Sequence, residues 1–575
     1  MAQIALNPAL DRPRRLGPGT TQATLVGALV IVLAFLVLYP ILAVVVNSLL
    51  PSKVFQSEGI ATWRAAFADS DVLTAVLNTL KVQFATQGIS LPAAIPIAWL
   101  LARTDLPFAR WLEFGFWILF FLPALGVTQG WLLLFDPNYG LANKWLVEWG
   151  IFDSAPFNLY SFWGIIFAHL TTTALSVKVM LLTPAFRNLD GSIEEAAQIA
   201  GASTLGTLVR IVVPLLTPAI IVVLLMSLIY GLGAFEIELF LGVPFNFFVY
   251  STQIYQLISH DPPAYAEGGV LASSVLLAML PLIVLQRWAA TRRSYAVVSG
   301  KYQSRVVRLH AWRWPAFFIV ATIVLVMSLL PLTLLLVGSI MKLFGFFGLA
   351  EMWTLDHWRD AFADVTFTQA FWNMLLLGTG TALAAASAYV VVAYCAVRLK
   401  TRWQATIDIL SWLPLSIPGI VLGFGYLFMV IQVPIFAPIY GTIWVMILVS
   451  FLSAMTLGVQ VIKVHMLQLG AEIEESARLA GASWFAAFRR VILPLTAPAI
   501  SVVAVLVFAA TIRQIGLVIL LSTGETRPLA VLQLDFLADG RLGPAAVIGV
   551  IIVLISLTAA ALVRIISVRF GVRAN

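Results

Sequence analysis

Long apolar segments alternate with short polar ones along this chain of 575 residues. Each apolar segment approaches or exceeds the roughly 20 residues that an α-helix needs to cross a bilayer. The pattern therefore predicts an all-α integral membrane protein with twelve transmembrane helices. The predicted spans lie near residues 24–47, 73–101, 112–134, 159–182, 214–235, 268–288, 315–338, 370–396, 406–431, 440–464, 495–521 and 544–567.

Several prolines fall inside the predicted spans. We expect each to kink its helix rather than break it, because neighbouring helices can satisfy the backbone groups that a proline leaves unpaired. These prolines are Pro92, Pro96, Pro123, Pro414 and Pro418.

The charges of the polar segments predict an orientation. Residues 287–313 contain only basic charged residues, whereas 236–267 contains acidic residues and no Lys or Arg. Basic loops remain in the cytoplasm, so both termini and the basic segments are predicted there. The predicted domains are a cytoplasmic tail at 1–22, a six-span half at 23–288, a basic linker at 289–313, a second six-span half at 314–568 and a cytoplasmic tail at 569–575.

Composition narrows the class further. With 61% hydrophobic and 11% charged residues, the chain has too few charges to cover a soluble protein of this size. The net charge of +7 resides in particular loops, which indicates membrane orientation and not nucleic-acid binding. The single cysteine, Cys395, excludes an internal disulfide and argues against a cysteine-based metal site. The basic N-terminus precedes a run long enough to span, so no cleavable signal peptide is expected.

One segment of the chain occurs twice. Residues 194–220, EEAAQIAGASTLGTLVRIVVPLLTPAI, recur at 474–500 as EESARLAGASWFAAFRRVILPLTAPAI, a shift of 280. Both copies have an acidic, small-residue beginning and a proline before a long apolar run, which predicts a helix–turn–helix elbow. The shift pairs Glu194 with Glu474, Glu195 with Glu475, Ala197 with Ala477, Gly201 with Gly481, Ser203 with Ser483, Arg210 with Arg490, Pro214 with Pro494 and Pro218 with Pro498.

The ends of the elbow helices follow from local chemistry. Ser192 followed by Glu195 predicts a capping box in the first elbow, and Gly470 predicts a weaker cap in the second. Three further pairs mark the same points in both copies. Gly201 and Gly481 predict left-handed helix stops, Ser203 and Ser483 predict N-caps, and Pro214 and Pro494 predict the start of the next long helix.

A second register extends the duplication beyond the elbows. The segment that begins at Trp63 matches the one that begins at Trp358, a shift of 295. The first half therefore carries 15 additional residues, which we place on the outside within 136–160. Both halves run from inside to inside, so the predicted architecture is two six-span parallel repeats, each with one elbow.

The elbow resembles the cytoplasmic coupling loop of ABC importer permeases, whose pattern is Glu-Ala-Ala, three residues, Gly, nine residues, Ile-x-Leu-Pro. The first copy matches at Glu195, Ala196, Ala197, Gly201, Ile211 and Pro214, with Val213 in place of Leu. The second matches at Glu475, Ala477, Gly481, Leu493 and Pro494, with Ser476 in place of Ala and Val491 in place of Ile. A duplicated six-span chain with one elbow per half resembles the fused permeases of the ferric-ion and thiamine importers over nearly its whole length.

This resemblance implies a transport subunit of the inner (plasma) membrane and not an enzyme. Two copies of an ABC ATPase would bind at the elbows, and a substrate-binding protein would deliver cargo from outside. No G-x-x-x-x-G-K-[ST] motif occurs, so ATP and Mg are expected on the partner, with no cofactor, catalytic residue or metal site on this chain. The implied ATPase-coupling residues are Glu194, Glu195, Ala197, Gly201, Glu474, Glu475, Ala477 and Gly481.

The sequence does not identify the cargo. Ferric iron is the favoured cargo, with thiamine, a polyamine or another small solute as alternatives by the same mechanism. A proton- or sodium-coupled secondary transporter with twelve spans is a competing class, but ionisable residues are scarce within the spans and it leaves the elbows unexplained. His169, alone in an apolar span, is interpreted as a packed helix contact, and no metal-ligand spacing is evident.

Three charged residues near the outer ends of the fifth spans are candidates for the pathway. Counting about 1.5 Å per residue from Pro214 and Pro494 places Glu236 roughly 33 Å and Arg513 roughly 28 Å along these spans. Glu238 follows two residues further out. The fifth spans of the two halves approach each other in such permeases, which leaves two interpretations open. Either Glu236 and Arg513 meet as an outer gate, or each reaches the aqueous interface as an anchor and pairs with nothing specific.

Overall fold

A computed structural model describes residues 20–292, 306–398 and 403–569. Most of each predicted tail, most of the predicted linker and residues 399–402 lie outside the described residues. Inside these ranges nearly all regular structure is helical, apart from a two-stranded antiparallel ribbon of β1 (Pro51–Ser52) and β2 (Ser57–Glu58).

Residues 20–292 contain thirteen α-helices and three π-helical turns. The α-helices are α1 (Thr20–Leu49), α2 (Ile60–Ala68), α3 (Ser70–Arg103), α4 (Ala109–Phe121), α5 (Ala124–Phe135), α6 (Leu141–Glu148), α7 (Phe162–His169), α8 (Leu175–Arg187), α9 (Gly191–Ile199), α10 (Thr204–Thr207), α11 (Val213–Leu232), α12 (Tyr250–Ser259) and α13 (Tyr265–Arg292). The π turns are Leu170–Ala174, Leu208–Val212 and Glu238–Gly242, and a 3-10 turn covers Val243–Phe245.

The remaining described residues contain twelve α-helices and one π turn. The α-helices are α14 (Arg313–Met327), α15 (Leu329–Ser339), α16 (Asp356–Ala363), α17 (Val365–Val397), α18 (Gln404–Trp412), α19 (Gly419–Gln432), α20 (Ile443–Gln468), α21 (Ala471–Leu479), α22 (Trp484–Ala487), α23 (Leu493–Thr511), α24 (Leu529–Ala538) and α25 (Leu542–Arg569). The π turn is Phe488–Ile492, and 3-10 turns cover His310–Trp312, Leu413–Ser416 and Ala437–Ile439.

The described residues hold ten helices, some with an internal π or 3-10 turn, that are long and apolar enough to cross a membrane. Two sharply bent helix pairs raise this number to twelve if each pair is one span. A multi-pass membrane protein with ten to twelve apolar spans is therefore confirmed. All of the predicted spans overlap one of these elements.

The two bent pairs correct the expectation that every proline only kinks its helix. The chain bends by 100° between α4 and α5 and by 112° between the 3-10 turn after α18 and α19. Pro123 and Pro418 stand at these breaks, each immediately before the second helix. A proline disfavours helical geometry in the residue before it, and Leu122 and Ile417 are accordingly extended, with ψ of 137° and 129°. By contrast, α3 runs without a break through Pro92 and Pro96.

We call residues 20–292 the first region and the described residues from 306 onward the second region. The second helix of each bent pair turns into the protein and contacts the first span of the other region. α5 lies against α15, and α19 lies against α1. Glycines allow both close approaches: a side chain at Gly130 would overlap the Pro331 carbonyl, and a Cβ at Gly425 would lie 2.9 Å from the Pro40 carbonyl oxygen. The Tyr426 hydroxyl adds a hydrogen bond of 2.6 Å to the Leu36 carbonyl. The two regions of the chain thus pack against each other through α5 and α19.

Candidate functional site: two repeated elbows and the meeting of the fifth spans

The two repeated segments fold into matching elbows. Gly201 follows α9 with φ +86°, and Gly481 follows α21 with φ +91°. The Ser203 hydroxyl then accepts a hydrogen bond of 3.1 Å from Gly206 N, and the Ser483 hydroxyl accepts one of 3.2 Å from Ala486 N. The predicted left-handed stops and serine caps are confirmed in both copies.

The entry to the first elbow differs from the predicted capping box. α9 begins at Gly191, so Ser192 already lies in its first turn, and Asp190 is the N-cap. The Asp190 carboxylate accepts a hydrogen bond of 3.1 Å from Ser192 N, and this bond lowers the pKa of Asp190. Gly470 occupies the same position in the second elbow without a side-chain cap, as the weaker cap there predicts.

The predicted start of the long helices is confirmed to within one residue, because α11 begins at Val213 and α23 at Leu493, each with its proline in the first turn. Each short elbow helix continues through a π turn, Leu208–Val212 or Phe488–Ile492, into the long helix. Proline has no N–H to donate and its ring crowds the carbonyl four residues earlier, so a widened turn just before it accommodates the ring. Elbow and fifth span therefore form one continuous apolar helix in each region, Thr204–Leu232 and Trp484–Thr511.

The first acid of each elbow points inward and anchors the elbow to the end of the second span. Glu194 forms a buried ion pair with Arg103, with 2.8 Å between Oε2 and Nη2. Arg103 also donates a hydrogen bond of 3.0 Å to the Leu189 carbonyl, just before α9. Glu194 is therefore buried in this conformation, and its predicted role in ATPase coupling stays a prediction.

The second elbow uses a different anchor in the same position. The Glu474 carboxylate accepts a hydrogen bond of 2.6 Å from the Tyr394 hydroxyl, which in turn accepts one of 2.8 Å from Trp484 Nε1. Arg398 binds backbone instead, with 2.6 Å from its Nη2 to the Leu469 carbonyl. A neutral hydroxyl therefore replaces the guanidinium as the partner of the inward acid.

The outer surfaces of the elbows carry matching exposed groups. Glu195 and Glu475 are exposed, whereas Ala197 is buried and Ala477 partly buried against the rest of the elbow. Apolar side chains stand beside the acids at equivalent positions. Their exposed fractions are 88% for Ile199, 89% for Leu479, 69% for Leu205 and 61% for Phe485. Ile199 and Leu479 are not among the predicted coupling residues, although their shared position in the 280 register was a usable signal.

The fifth spans meet at their far ends, as predicted. The Glu236 carboxylate accepts a hydrogen bond of 3.1 Å from Ile515 N. A Cβ at Gly516 would lie 3.4 Å from Phe235 Cβ, so these two positions face each other directly.

Arg513 does not form the expected ion pair with Glu236 within the residues that the structure describes. Its guanidinium instead donates to the Phe120 carbonyl and, at 3.3 Å, to the Leu122 carbonyl, and it lies 5.2 Å from the centre of the Phe120 ring. These carbonyls end α4 at the break before Pro123. Arg513 therefore caps the broken third span of the other region, where a cation also complements the helix dipole.

Glu238 does not continue outward as its position after Glu236 predicts. It is buried, and its Oε1 lies 2.7 Å from His169 Nε2 in the fourth span. The interpretation of His169 as a helix contact thus missed its partner. The two residues are 69 positions apart, and each looks isolated in the sequence.

Comparisons with known proteins show which family and which relatives this chain is similar to. Residues 388–572 match the family described as "Binding-protein-dependent transport system inner membrane component". The ferric transport system permease protein of Actinobacillus pleuropneumoniae is 28% identical over 411 residues, covering 69% of this chain and 57% of that protein. A putative ferric transport system permease protein of Haemophilus influenzae is 28% identical over 392 residues, covering 67% of this chain and 60% of that protein.

A third relative is the probable ABC transporter permease protein of Sinorhizobium fredii, 27% identical over 421 residues, which cover 70% of this chain and 72% of that protein. This chain thus spans 57% and 60% of the length of the two ferric permeases above. The matches confirm the predicted resemblance to binding-protein-dependent permeases of the ferric type.

Proposed function

We propose that this chain, which carries a binding-protein-dependent permease domain, is the membrane subunit of an ATP-driven importer for ferric iron. Its relatives named as ferric transport permeases support the choice of cargo. A binding protein would deliver the cargo from outside. ATP and Mg would bind to two ABC ATPase subunits, which are separate chains, so this chain is a transport subunit and not an enzyme.

The observation that carries the proposal is the pair of matched outer surfaces on the elbows. Ile199 and Leu479 project almost fully into solvent at equivalent positions, beside exposed Glu195 and Glu475. Exposed apolar side chains ringed by charge are typical of a docking surface. The apolar groups would enter a cleft on each ATPase, and the acids would pair with basic groups at its rim. Because each elbow is continuous with a fifth span, a displacement of the elbow would move that span.

The two regions are proposed to be six-span halves in parallel orientation with both termini in the cytoplasm. Three paired features support this arrangement: the elbows, the bent third spans and the reciprocal contacts of α5 and α19. Each bent span is counted as one crossing, which gives twelve. Positive-inside placement of the basic segments supports the orientation.

The outer gate is proposed to lie where the fifth spans meet. Phe235 faces Gly516, and Glu236 binds Ile515 N, which would close the pathway in this conformation. The Cβ separation of 3.4 Å approaches the range of a disulfide, so the double variant Phe235→Cys, Gly516→Cys tests the gate. Disulfide formation without nucleotide, and its loss when ATP is trapped, is expected. A crosslink that persists unchanged with trapped ATP would exclude a gate here.

Reconstitution tests the function as a whole. Proteoliposomes containing the chain, its ATPase and ferric-loaded binding protein should accumulate iron only with ATP. The chain alone should show neither ATP hydrolysis nor solute–proton exchange. The double variant Glu195→Lys, Glu475→Lys should reach the membrane folded but lose most binding-protein-stimulated hydrolysis. Iron uptake driven by a proton or sodium gradient without the ATPase would instead identify a secondary transporter.

A further inference from the structure

A cluster of three polar side chains lies buried beside the outer end of the first fifth span. His169 Nε2 is 2.7 Å from Glu238 Oε1. Tyr250 is buried at the start of α12, and its burial, followed by the charge of Glu238, raises the pKa of its hydroxyl. In the part of the chain that the structure describes, Glu238 Oε2 and the Tyr250 hydroxyl are buried without a hydrogen-bond partner. Such groups lose the hydration of water without replacing it, which is unfavourable for folding.

The second region shows that the fold does not require this cluster. The 280 register places Val449, Val518 and Ala530 at the positions of His169, Glu238 and Tyr250. All three apolar residues are buried. An apolar filling of the site is therefore compatible with the same architecture, so packing alone does not account for the polar cluster.

We propose that His169, Glu238 and Tyr250 form a transient binding site for the cargo cation on its way through the protein. The choice of ferric iron as that cation rests on the proposed function. A carboxylate and a phenolate supply hard, anionic oxygen ligands, and the imidazole supplies a nitrogen ligand that many transition metals accept. His169 and Glu238 are common metal ligands, and Tyr250 would supply a third donor atom.

The position of the cluster suits a site beside the pathway. Glu238 follows Glu236, whose carboxylate binds Ile515 across the junction of the fifth spans. The π turn Glu238–Gly242 also contacts α24 of the other region. A second π turn, Leu170–Ala174, begins immediately after His169. Such turns are frequent at functional sites, and here one begins at Glu238 and the other directly follows His169.

The pair of His169 and Glu238 needs little movement to hold a cation between its two ligand atoms. Ligand distances of about 2.1 Å at a right angle would separate the imidazole nitrogen and the carboxylate oxygen by roughly 3.0 Å. The observed separation is 2.7 Å, so the pair must open by only a few tenths of an ångström. Coordination by a phenolate would release the phenolic proton of Tyr250. Affinity should therefore fall at acidic pH.

The test uses the full chain in lipid nanodiscs, titrated with ferric nitrilotriacetate and without ATPase. Coordination by Tyr250 should produce a visible phenolate-to-iron charge-transfer band. Tyr250→Phe should abolish the band, whereas Tyr440→Phe, at an exposed tyrosine, should retain it. The triple variant His169→Val, Glu238→Val, Tyr250→Ala installs the residues of the second region, so it should fold normally and give no band.

Two outcomes would overturn the site: absence of a band in the wild-type chain, or a band that survives in the folded triple variant. The result is separable from the importer proposal, because binding is measured without transport. A band in the wild-type chain together with no ATP-driven uptake would contradict the importer and not the site. Uptake by the triple variant at the wild-type rate would show that the site is not used in transport.

Discussion

The two elbows share a backbone but are anchored by different chemistry. In the first elbow Glu194 is held by the buried guanidinium of Arg103, and in the second Glu474 is held by the Tyr394 hydroxyl. Aromatic packing supports the second anchor, with 5.1 Å between the ring centres of Tyr394 and Phe488. The backbone therefore requires one inward donor at this point, while the charge of that donor is free to vary. The first elbow depends on an ion pair and the second on a neutral aromatic cluster.

The largest expected difference follows from removing each donor. Arg103→Leu leaves Glu194 charged, buried and unpaired, which should destabilise the protein by about 3–5 kcal/mol. Tyr394→Phe removes one hydrogen bond and keeps the ring, so about 1–2 kcal/mol is expected. Unfolding of the purified protein in mild detergent, followed by tryptophan fluorescence, measures both.

A rescue variant separates the charge from the packing. Adding Glu194→Leu to Arg103→Leu removes the stranded carboxylate and should recover most of the lost stability. Equal destabilisation by the two donor variants, or no recovery in the double variant, would mean that the anchors do not differ in the way their chemistry indicates.

The glycine stops should respond alike in the two elbows. Gly201→Val and Gly481→Val force a β-branched residue into a left-handed conformation, although a Cβ would meet no atom within 4 Å at either position. Strain alone should therefore cost about 1–2 kcal/mol in each case. Gly348→Val is the matched control, because that position has the same free space without a positive φ. The same unfolding measurement applies, and a control as destabilised as the stops would argue against backbone strain.

The exposed tips should differ in their contribution to docking. Phe485 presents a larger apolar surface than Leu205 at the equivalent position, and both are more than half exposed. Truncation to Ala should weaken ATPase binding by about 2 kcal/mol for Phe485 and about 1 kcal/mol for Leu205. Equilibrium binding of the ATPase to nanodiscs containing each variant provides the numbers. Identical losses would show that the two clefts bind the tips equally.

The smallest effect concerns the entry caps. The hydrogen bond from Ser192 N lowers the pKa of Asp190, so this cap stabilises the elbow above the ordinary carboxyl pKa and is lost as pH falls through the lowered value. The second elbow has Gly470 there and no side-chain cap to lose. Hydrogen exchange should therefore show acid loosening of α9 but not of α21. Asp190→Ala should already loosen α9 at neutral pH, and acid should then loosen it no further.

The local features of the elbows were predictable because their causes lie within a few residues. A glycine with positive φ and a serine that caps the following turn are encoded by their immediate neighbours, and both copies carried them. A chain with ten to twelve apolar spans was equally predictable, since bilayer thickness fixes the length of an apolar helix.

The breaks in the third spans were not predictable from the prolines alone. Pro92 and Pro123 give the same local signal, yet only the second marks a break. The carbonyls exposed there are capped by Arg513, 393 positions away from Phe120, so the stabilising partner belongs to another part of the sequence. The contact between His169 and Glu238 was missed for the same reason. Contacts that depend on tertiary placement carry no periodic or local signature.

Docking of the elbows onto a separate ATPase is the central claim, and cysteine accessibility tests it most directly. Ile199→Cys and Leu479→Cys, each in a Cys395→Ala background, should react rapidly with maleimide in the isolated chain because both positions are almost fully exposed. Addition of the ATPase should slow both reactions at least tenfold and leave Ile435→Cys, in a loop between α19 and α20, unchanged. Unchanged labelling at 199 and 479 with the ATPase bound to the chain would contradict the account.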